Sequence, residues 1–272
     1  MILETSTGPL YYEINDMTPP WVEHPQTIVF CHGVAVNCDI WMAWLPVLAS
    51  HFRIVRFDMR SFGRSPAPLE GSALSLEGLA DDIVFIAEAA GVERFHLVGE
   101  SMGGTVSLQL ASRLNSPVLS LICVSTAHRG ALILRLPEWK DLILKDGMET
   151  WSHQMMGNRF FEGALTELEW EWFHRLQSKT NANALIQAGE LLMRIDLSAD
   201  LPKIVAPTLL LTPDSSPFVS VEISNEARKL ITNSELAVFP HTRHGLPYSD
   251  AQICAEAVLE FLMSPRIHHS AR

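Results

Sequence analysis

Apolar residues along the chain fall into two kinds of segment that alternate. Short continuous apolar runs have the length and composition of strands that are buried on both faces of a parallel sheet. In the first half of the chain these runs lie at residues 27–31, 53–57, 95–98 and 118–124. Segments with apolar residues at helical spacing separate them, at residues 41–48, 76–90 and 105–111. With an edge strand at 10–14, the first 126 residues therefore predict strands and helices in alternation, a parallel sheet covered on both faces.

The alternation breaks at residues 128–200, where helical segments rich in large apolar side chains replace the strand pattern. We interpret this region as a helical cap that is inserted into a core domain made of residues 1–127 and 201–265. Its aromatic residues either pack among themselves or line an apolar pocket above the sheet, and both can hold at once. The candidates for such a pocket are Trp139, Trp151 and Met155.

After residue 200 the strand and helix pattern returns. Runs at 206–211 and 235–239 predict two further strands, and residues 221–231 and 249–263 predict helices. Residues 266–272 form a polar stretch that predicts a frayed tail. The pattern as a whole predicts an α/β fold with a mostly parallel, doubly wound sheet.

The stretch Leu97-Val98-Gly99-Glu100-Ser101-Met102-Gly103-Gly104 predicts a sharp turn from a buried strand into a helix. Glycines two residues before and two residues after the serine remove the Cβ atoms that would clash in such a reversal. The turn raises the serine hydroxyl above the sheet edge, and the N–H groups at the start of the new helix face any negative charge that develops there. Ser101 is therefore a candidate nucleophile.

Composition and charge narrow the classes of partner. The 272 residues carry a formal net charge of −11 without a run of Lys or Arg, which argues against nucleic acid and against an anionic membrane surface. The start of the chain lacks the pattern of a secretory signal, and no stretch reaches the roughly 18 apolar residues of a membrane span. We therefore expect a cytoplasmic protein that acts on a small molecule. The sequence is compatible with a homodimer but carries no period that specifies one.

Neither a cofactor nor a metal is expected. The chain lacks a G-x-G-x-x-G motif after its first strand and lacks a phosphate-binding loop. The cysteines are scattered along the chain, which is typical of packed thiols rather than of a disulfide framework or a metal site. They are Cys31, Cys38, Cys123 and Cys254.

These motifs together make the chain resemble the α/β-hydrolase family, in the branch that uses a serine nucleophile. The resemblance covers nearly the whole chain, and each motif follows a predicted strand, where open α/β sheets place their sites. The matching segments are His32-Gly33, the turn at residues 58–65, the elbow at residues 99–103, an insertion at the cap position, and Pro240-x-x-x-His244. The resemblance implies the fold of that family and a hydrolytic activity.

Acyl transfer needs a base for the serine proton, and histidine titrates in a suitable range. The family pattern places this base four residues after the proline that ends the last strand, which is His244. By the same resemblance, the oxyanion donors are the backbone N–H groups of Val34 and Met102, and His32 has a structural role in its loop.

The third member of a catalytic triad is where the sequence departs from the family pattern. The segment after residue 211 places Ser216 where the family has its acid, while Asp214 lies two residues earlier. Asp214 is the predicted orienting acid, and Glu222 is a second candidate. The alternative is that Asp214 only caps a turn and that a neutral group such as Ser216 orients His244.

The expected activity is hydrolysis of a carboxylic ester or lactone with a small, apolar or aromatic group. A serine at the elbow argues against the relatives that carry aspartate there, the haloalkane dehalogenases and epoxide hydrolases. The alternatives are cleavage of an amide or of a carbon–carbon bond in a β-diketone, as in meta-cleavage hydrolases, and a ligand-binding protein on a hydrolase scaffold with little turnover.

Overall fold

A computed structural model describes residues 1–67, 74–133 and 137–265. The described part contains an eight-stranded sheet with the spatial order β1-β2-β4-β3-β5-β6-β7-β8. β1 and β2 are antiparallel to their neighbours, and β3 to β8 run parallel to one another. In chain order, the strands are Ile2–Leu3, Leu10–Asn15, Thr27–Cys31, Arg53–Phe57, Phe95–Glu100, Val118–Val124, Thr208–Pro213 and Ser234–Phe239.

Helical segments connect the parallel strands, as is usual for crossover connections in a parallel sheet. Three short 3₁₀ helices lie in the described chain at Cys38–Trp44, Gly130–Leu132 and Leu201–Lys203. The α-helices α1 to α9 are Leu45–Leu48, Leu76–Ala89, Met102–Ala111, Glu138–Arg159, Glu167–Ser178, Ala182–Arg194, Val221–Leu230, Leu246–Ser249 and Ala251–Met263.

The core lies on both faces of the sheet. β3 and β5 are buried along their whole length, which explains why their sequences are continuously apolar rather than alternating. One face packs against α2 and α3, and the other packs against the 3₁₀ helix at residues 38–44 and against α9. Because β3 to β8 run parallel, the carboxyl ends of β3, β5, β6, β7 and β8 lie at the same edge of the sheet.

Three helices, α4, α5 and α6, separate β6 from β7 in the described chain, and together they are called the helical insert. Arg129 and Asp196 form an antiparallel bridge at the two ends of this insert. α4 is broken at Gly147, whose φ of 79° and ψ of 175° are not helical. α4 therefore consists of two helical halves that are joined by a kink at Gly147.

The predicted fold class is confirmed. The predicted helix at residues 76–90 is α2, and Ser75 caps it, since its side chain accepts a hydrogen bond from the N–H of Gly78. Two details differ: the first predicted helix is mainly a seven-residue 3₁₀ helix, and the edge strand Ile2–Leu3 was not predicted. The division into core and cap domains stays a prediction, and the tail at 266–272 lies outside the described residues.

The four cysteines are buried free thiols, which agrees with the expectation of packed side chains. Among the described residues, no helix is both long enough and apolar enough to cross a membrane. The cytoplasmic location and the homodimer stay predictions from the sequence.

The close packing at the start of α3 gives a test of the fold. A Cβ at Gly103 would collide with the backbone carbonyl oxygens of Cys31 and His32. We expect Gly103→Ala to lower the free energy of unfolding by about 1–3 kcal/mol, because backbone atoms cannot give way as a side chain can. Urea unfolding followed by circular dichroism measures this change.

The matched control is Gly157→Ala in α4, because a Cβ there meets no atom within 4 Å. This variant should be neutral or up to about 1 kcal/mol more stable, since alanine favours helix. Equal stability of the two variants would contradict the packing seen at Gly103.

Candidate active site

Ser101 lies at the turn between the end of β5 and the start of α3. Its φ of 53° and ψ of −118° place it in a backbone conformation that residues with a side chain rarely adopt. The turn is packed so closely that two of its positions have no room for a Cβ. A Cβ at Gly99 would lie 2.5 Å from the carbonyl oxygen of Gly103, and a Cβ at Gly104 would collide with Thr126. The structure thus confirms the sharp turn that the glycine spacing predicts.

His244 lies in the loop after β8 and faces Ser101. Its Nε2 is 3.0 Å from the Oγ of Ser101. The imidazole is only 5% exposed, and its ring packs edge-on against Phe218 at a centroid distance of 5.0 Å. The structure therefore brings the predicted nucleophile and the predicted base into hydrogen-bond contact.

The Nδ1 of His244 faces Ser216, with 3.2 Å between Nδ1 and Oγ. If Nε2 accepts the hydroxyl proton of Ser101, Nδ1 carries the ring proton and donates it to Ser216. The Oγ of Ser216 also accepts hydrogen bonds from the backbone N–H groups of Phe218 at 3.3 Å and Val219 at 3.2 Å. Three donors converge on one hydroxyl oxygen, an arrangement that would suit a carboxylate.

Asp214 is not brought to His244, which corrects the sequence prediction. Its carboxylate accepts hydrogen bonds from the backbone N–H groups of His241 at 3.0 Å and Thr242 at 3.3 Å, and from the Ser215 hydroxyl at 2.8 Å. These bonds, that of His241 foremost, lower the pKa of Asp214. The aspartate therefore stabilises the turn that carries the histidine loop.

Glu222 does not take the place of Asp214 as the partner of His244. This second candidate lies exposed in the first turn of α7, where its hydrogen bond with Ser220 lowers the pKa of its carboxyl. The neutral alternative that the sequence left open, Ser216, is the group that the structure places beside Nδ1.

Burial changes the acid–base chemistry of His244. It lowers the pKa of the imidazole to about 3, and the nearby positive charge of Arg159 acts in the same direction. The ring is thus neutral over the whole physiological range and can accept a proton. With Ser216 at Nδ1, the pair has no anionic partner there that would stabilise an imidazolium ion.

The two predicted oxyanion donors lie on segments that pack closely on the serine turn. Met102 is the first residue of α3, so its N–H has no acceptor within the helix. Val34 follows Gly33, at which a Cβ would lie 3.0 Å from the Cβ of Ser101. The next residue, Ala35, has a left-handed φ of 59°.

His32 fixes the loop that carries Val34, as the sequence suggests. Its Nε2 accepts a hydrogen bond from the N–H of Met59 at 2.8 Å, and its Nδ1 donates to the carbonyl of Gly33 at 2.7 Å. Burial lowers the pKa of this imidazole, which keeps it in the neutral form that these two bonds require.

The space beside Ser101 and His244 is small and mostly apolar. A cavity of about 20 Å³ is enclosed by Ser101 and His244 together with Trp139, Leu192 and Phe218. Trp139 also lines a neighbouring cavity of about 180 Å³, to which Trp151 and Met155 contribute. Of the three predicted pocket residues, Trp139 therefore lines the space beside Ser101, whereas Trp151 and Met155 line only the neighbouring cavity.

A much larger cleft, of about 820 Å³, lies elsewhere in the described chain. It lies between the turn at residues 61–67 and the ends of α5 and α6, and its lining includes Arg175 and Lys179. The small cavity is the candidate site, because it is the one that contains a serine hydroxyl in hydrogen-bond contact with a histidine.

A family model for the alpha/beta hydrolase fold matches residues 26–251 of this chain. The chain belongs to the alpha/beta hydrolase family. One relative of this hydrolase is the AB hydrolase superfamily protein YisY of Bacillus subtilis, which is 24% identical over 88% of this chain and 92% of its own length. Another is the bifunctional esterase/perhydrolase DCH of Acinetobacter calcoaceticus, which is 27% identical over 87% of this chain and 91% of its own length. The expectation of a hydrolase enzyme is confirmed at the level of the family.

The fold of this hydrolase is also that of solved structures. The enol-lactonase from Burkholderia xenovorans superimposes with a TM-score of 0.87 at 18% identity, over 97% of this chain and 100% of the other. At that identity the likeness shows the fold alone.

Two residues at this site were not assigned a role from the sequence. Glu100, the residue before Ser101, is buried, and its carboxylate lies 3.5 Å from the guanidinium of Arg159. Arg159 comes from the last turn of α4, far away in sequence. A charged residue at the end of an amphipathic helix gives no sequence signal of this kind, because only tertiary packing buries it.

The surroundings of His244 predict an unusual pH dependence. Since the imidazole pKa lies near 3, its neutral form persists as pH falls, and kcat/KM for an ester should show no acid limb between about pH 5 and 8. In Ser216→Asp, a carboxylate beside Nδ1 would favour the protonated ring and raise the pKa. We expect the acid limb of that variant to move to higher pH.

A pH–rate series on both proteins measures this, with Asp214→Asn as the matched control because its carboxylate lies on the neighbouring turn without contacting His244. An acid limb near pH 6–7 in the wild type, the ordinary range of histidine, would contradict the burial seen here.

Proposed function

We propose that this alpha/beta hydrolase is a serine hydrolase of carboxylic esters or lactones that have a small, largely apolar acyl group. The observation that carries the proposal is the 3.0 Å contact between the Oγ of Ser101 and the Nε2 of His244, at a strained turn that opens a helix. A hydroxyl beside a neutral buried imidazole is the arrangement that activates a serine.

In the proposed reaction, Ser101 Oγ attacks the carbonyl carbon while its proton passes to Nε2 of His244. The negative charge moves to the carbonyl oxygen, which the N–H groups of Val34 and Met102 stabilise. The imidazolium then gives its proton to the leaving oxygen and an acyl-enzyme forms. A water molecule, activated by the same imidazole, attacks the acyl carbon and releases the acid.

Two observations support esters or lactones as substrates. One relative is named an esterase/perhydrolase and one neighbour in fold is an enol-lactonase. The lining of the space beside Ser101 is dominated by apolar side chains such as Trp139, Leu192 and Phe218, which favours an apolar acyl group. We further propose that residues 128–200 act as a cap, since Trp139 and Leu192 both come from this region.

Labelling of the nucleophile tests the proposal. The wild type should react with a fluorophosphonate probe and hydrolyse p-nitrophenyl acetate. Ser101→Ala should lose labelling, and both Ser101→Ala and His244→Ala should lose about a thousandfold or more in kcat, because the nucleophile and its base act as a unit.

Asp214→Asn is the matched control for these variants and should keep kcat within about threefold of the wild type, because its carboxylate bonds to the turn and not to His244. A wild type that neither labels nor turns over would overturn the proposal in favour of a ligand-binding protein on this scaffold.

Trp139 provides a test of the acyl pocket. It lines both the 20 Å³ cavity at Ser101 and a second cavity of about 180 Å³. Trp139→Ala should join the two and shift the preference from p-nitrophenyl acetate towards the octanoate by about tenfold or more in the ratio of kcat/KM, since each buried methylene adds favourable transfer free energy.

The control for this variant is Trp172→Ala, a tryptophan of α5 that stacks on Tyr248 away from the small cavity. An unchanged chain-length preference in Trp139→Ala would show that the acyl group binds elsewhere.

A further inference from the structure

Arg159 joins the helical insert to three loops of the proposed site. It is the last residue of α4 and is 2% exposed. Its Nη2 donates a hydrogen bond to the carbonyl of Val34 at 3.1 Å, and its Nη1 lies 3.5 Å from Oε1 of Glu100. Its own carbonyl accepts a hydrogen bond from the N–H of Gly245 at 2.9 Å.

Each of these partners is a direct neighbour of a group that the proposed reaction uses. Glu100 precedes the nucleophile, Gly245 follows the base, and Val34 carries an oxyanion donor on its own N–H. The guanidinium therefore contacts the loop that must present this N–H at a fixed angle.

The loop at Val34 needs such support. Ala35 adopts a left-handed φ of 59°, which costs energy for a residue with a Cβ. A loop in this conformation relaxes unless its surroundings hold it. His32 anchors the carbonyl of Gly33 on one side, and Arg159 anchors the carbonyl of Val34 on the other. His32 therefore holds the peptide unit that carries the Val34 N–H, and Arg159 holds the next unit, Val34–Ala35, so that Val34 is fixed on both sides.

Glu100 keeps the guanidinium in place. Both side chains are buried, and a charge in that setting is stable only when it is paired. Burial raises the pKa of Glu100, and the charge of Arg159 opposes that shift. The forked guanidinium can meet the carboxylate and the Val34 carbonyl at the same time, whereas a lysine ammonium has one point of contact.

The end of α4 is itself fixed to the histidine loop. Arg243 donates a hydrogen bond to the carbonyl of Gly157 and lies over the ring of Phe161, and Phe160 packs so closely on Gly245 that a Cβ there would collide with it. Arg159 thus enters the site from a rigid support rather than from a mobile end.

We propose that Arg159 is a positioning residue that holds the Val34–Ala35 peptide and thereby keeps the adjoining Val34 N–H in the orientation for oxyanion stabilisation, an inference that rests on the proposed hydrolase function. Through it, the helical insert supplies part of the framework of the oxyanion hole, and Glu100 holds Arg159 in register. Neither residue touches the reacting atoms in this role.

Steady-state kinetics with p-nitrophenyl acetate test the proposal in three variants. Arg159→Met removes the donors and the charge, and Arg159→Lys keeps the charge. The pair Arg159→Met with Glu100→Gln leaves no unpaired buried carboxylate, so it remains interpretable if Arg159→Met fails to fold. In Arg159→Met and in the pair, kcat should fall by about tenfold to a hundredfold with KM within about threefold, because the donor acts mainly in the transition state.

The affinity for a trifluoromethyl ketone is a second measurement, and it would stay unchanged if Arg159 had only a structural role. The ketone forms a tetrahedral adduct with a serine hydroxyl, and the adduct oxygen occupies the oxyanion site. Its affinity should fall in parallel with kcat/KM across the variants, with Arg159→Lys between Arg159→Met and the wild type.

The matched control is Arg60→Met with Asp82→Asn. These two residues form another buried ion pair at 2.6 Å, and the further hydrogen bonds of Arg60 go to Thr5, Thr7 and Gly8. This control should lose thermal stability while keeping kcat within about threefold.

An equal loss of kcat in this control, or wild-type kcat and ketone affinity in the Arg159 pair, would overturn the positioning role. A wild type that fails to label with the fluorophosphonate would instead overturn the proposed function itself.

Discussion

The strained backbone of Ser101 is the constraint on which the rest of the site depends. Its φ of 53° is held because Gly99, Gly103 and Gly104 let the turn, α3 and the neighbouring strands approach more closely than a Cβ would permit. Strain of this kind persists only where the surroundings determine the backbone on all sides. The same close approach brings the Val34 loop against the serine, so one packing arrangement sets both the Ser101 turn and the proposed oxyanion site.

The electrostatics around His244 differ from those of a pair backed by a carboxylate. Ser216 orients the ring by a hydrogen bond but contributes no charge, while burial and Arg159 both favour the neutral imidazole. A neutral ring is available to take the serine proton over a wide pH range, but its low pKa makes it a weak base, because the imidazolium ion gains little stabilisation here. In the proposed reaction more of the transition-state stabilisation must therefore come from the oxyanion donors, which gives the anchoring of Val34 greater weight.

The helical insert contributes to the site in two ways. Through Trp139 and Leu192 it closes the space above Ser101, and through Arg159 it reaches the loops below. The break of α4 at Gly147 separates these roles, because Trp139 lies before it and Arg159 after it. Substrate access and the geometry of the oxyanion loop can thus be governed by different halves of one helix.

The sequence by itself determined the sheet and the serine turn, because these depend on local rules: apolar runs for buried strands and glycine spacing for a tight turn. His244 was predicted from the resemblance to the family pattern after the last strand. The sequence misassigned the partner of His244, since Asp214 and Ser216 are two residues apart and only the fold of the loop decides which one reaches Nδ1. The tertiary structure also decided that Arg159 is buried against Glu100. A contact between residues 59 positions apart in the chain leaves no periodic trace, because it arises from how the insert packs on the core.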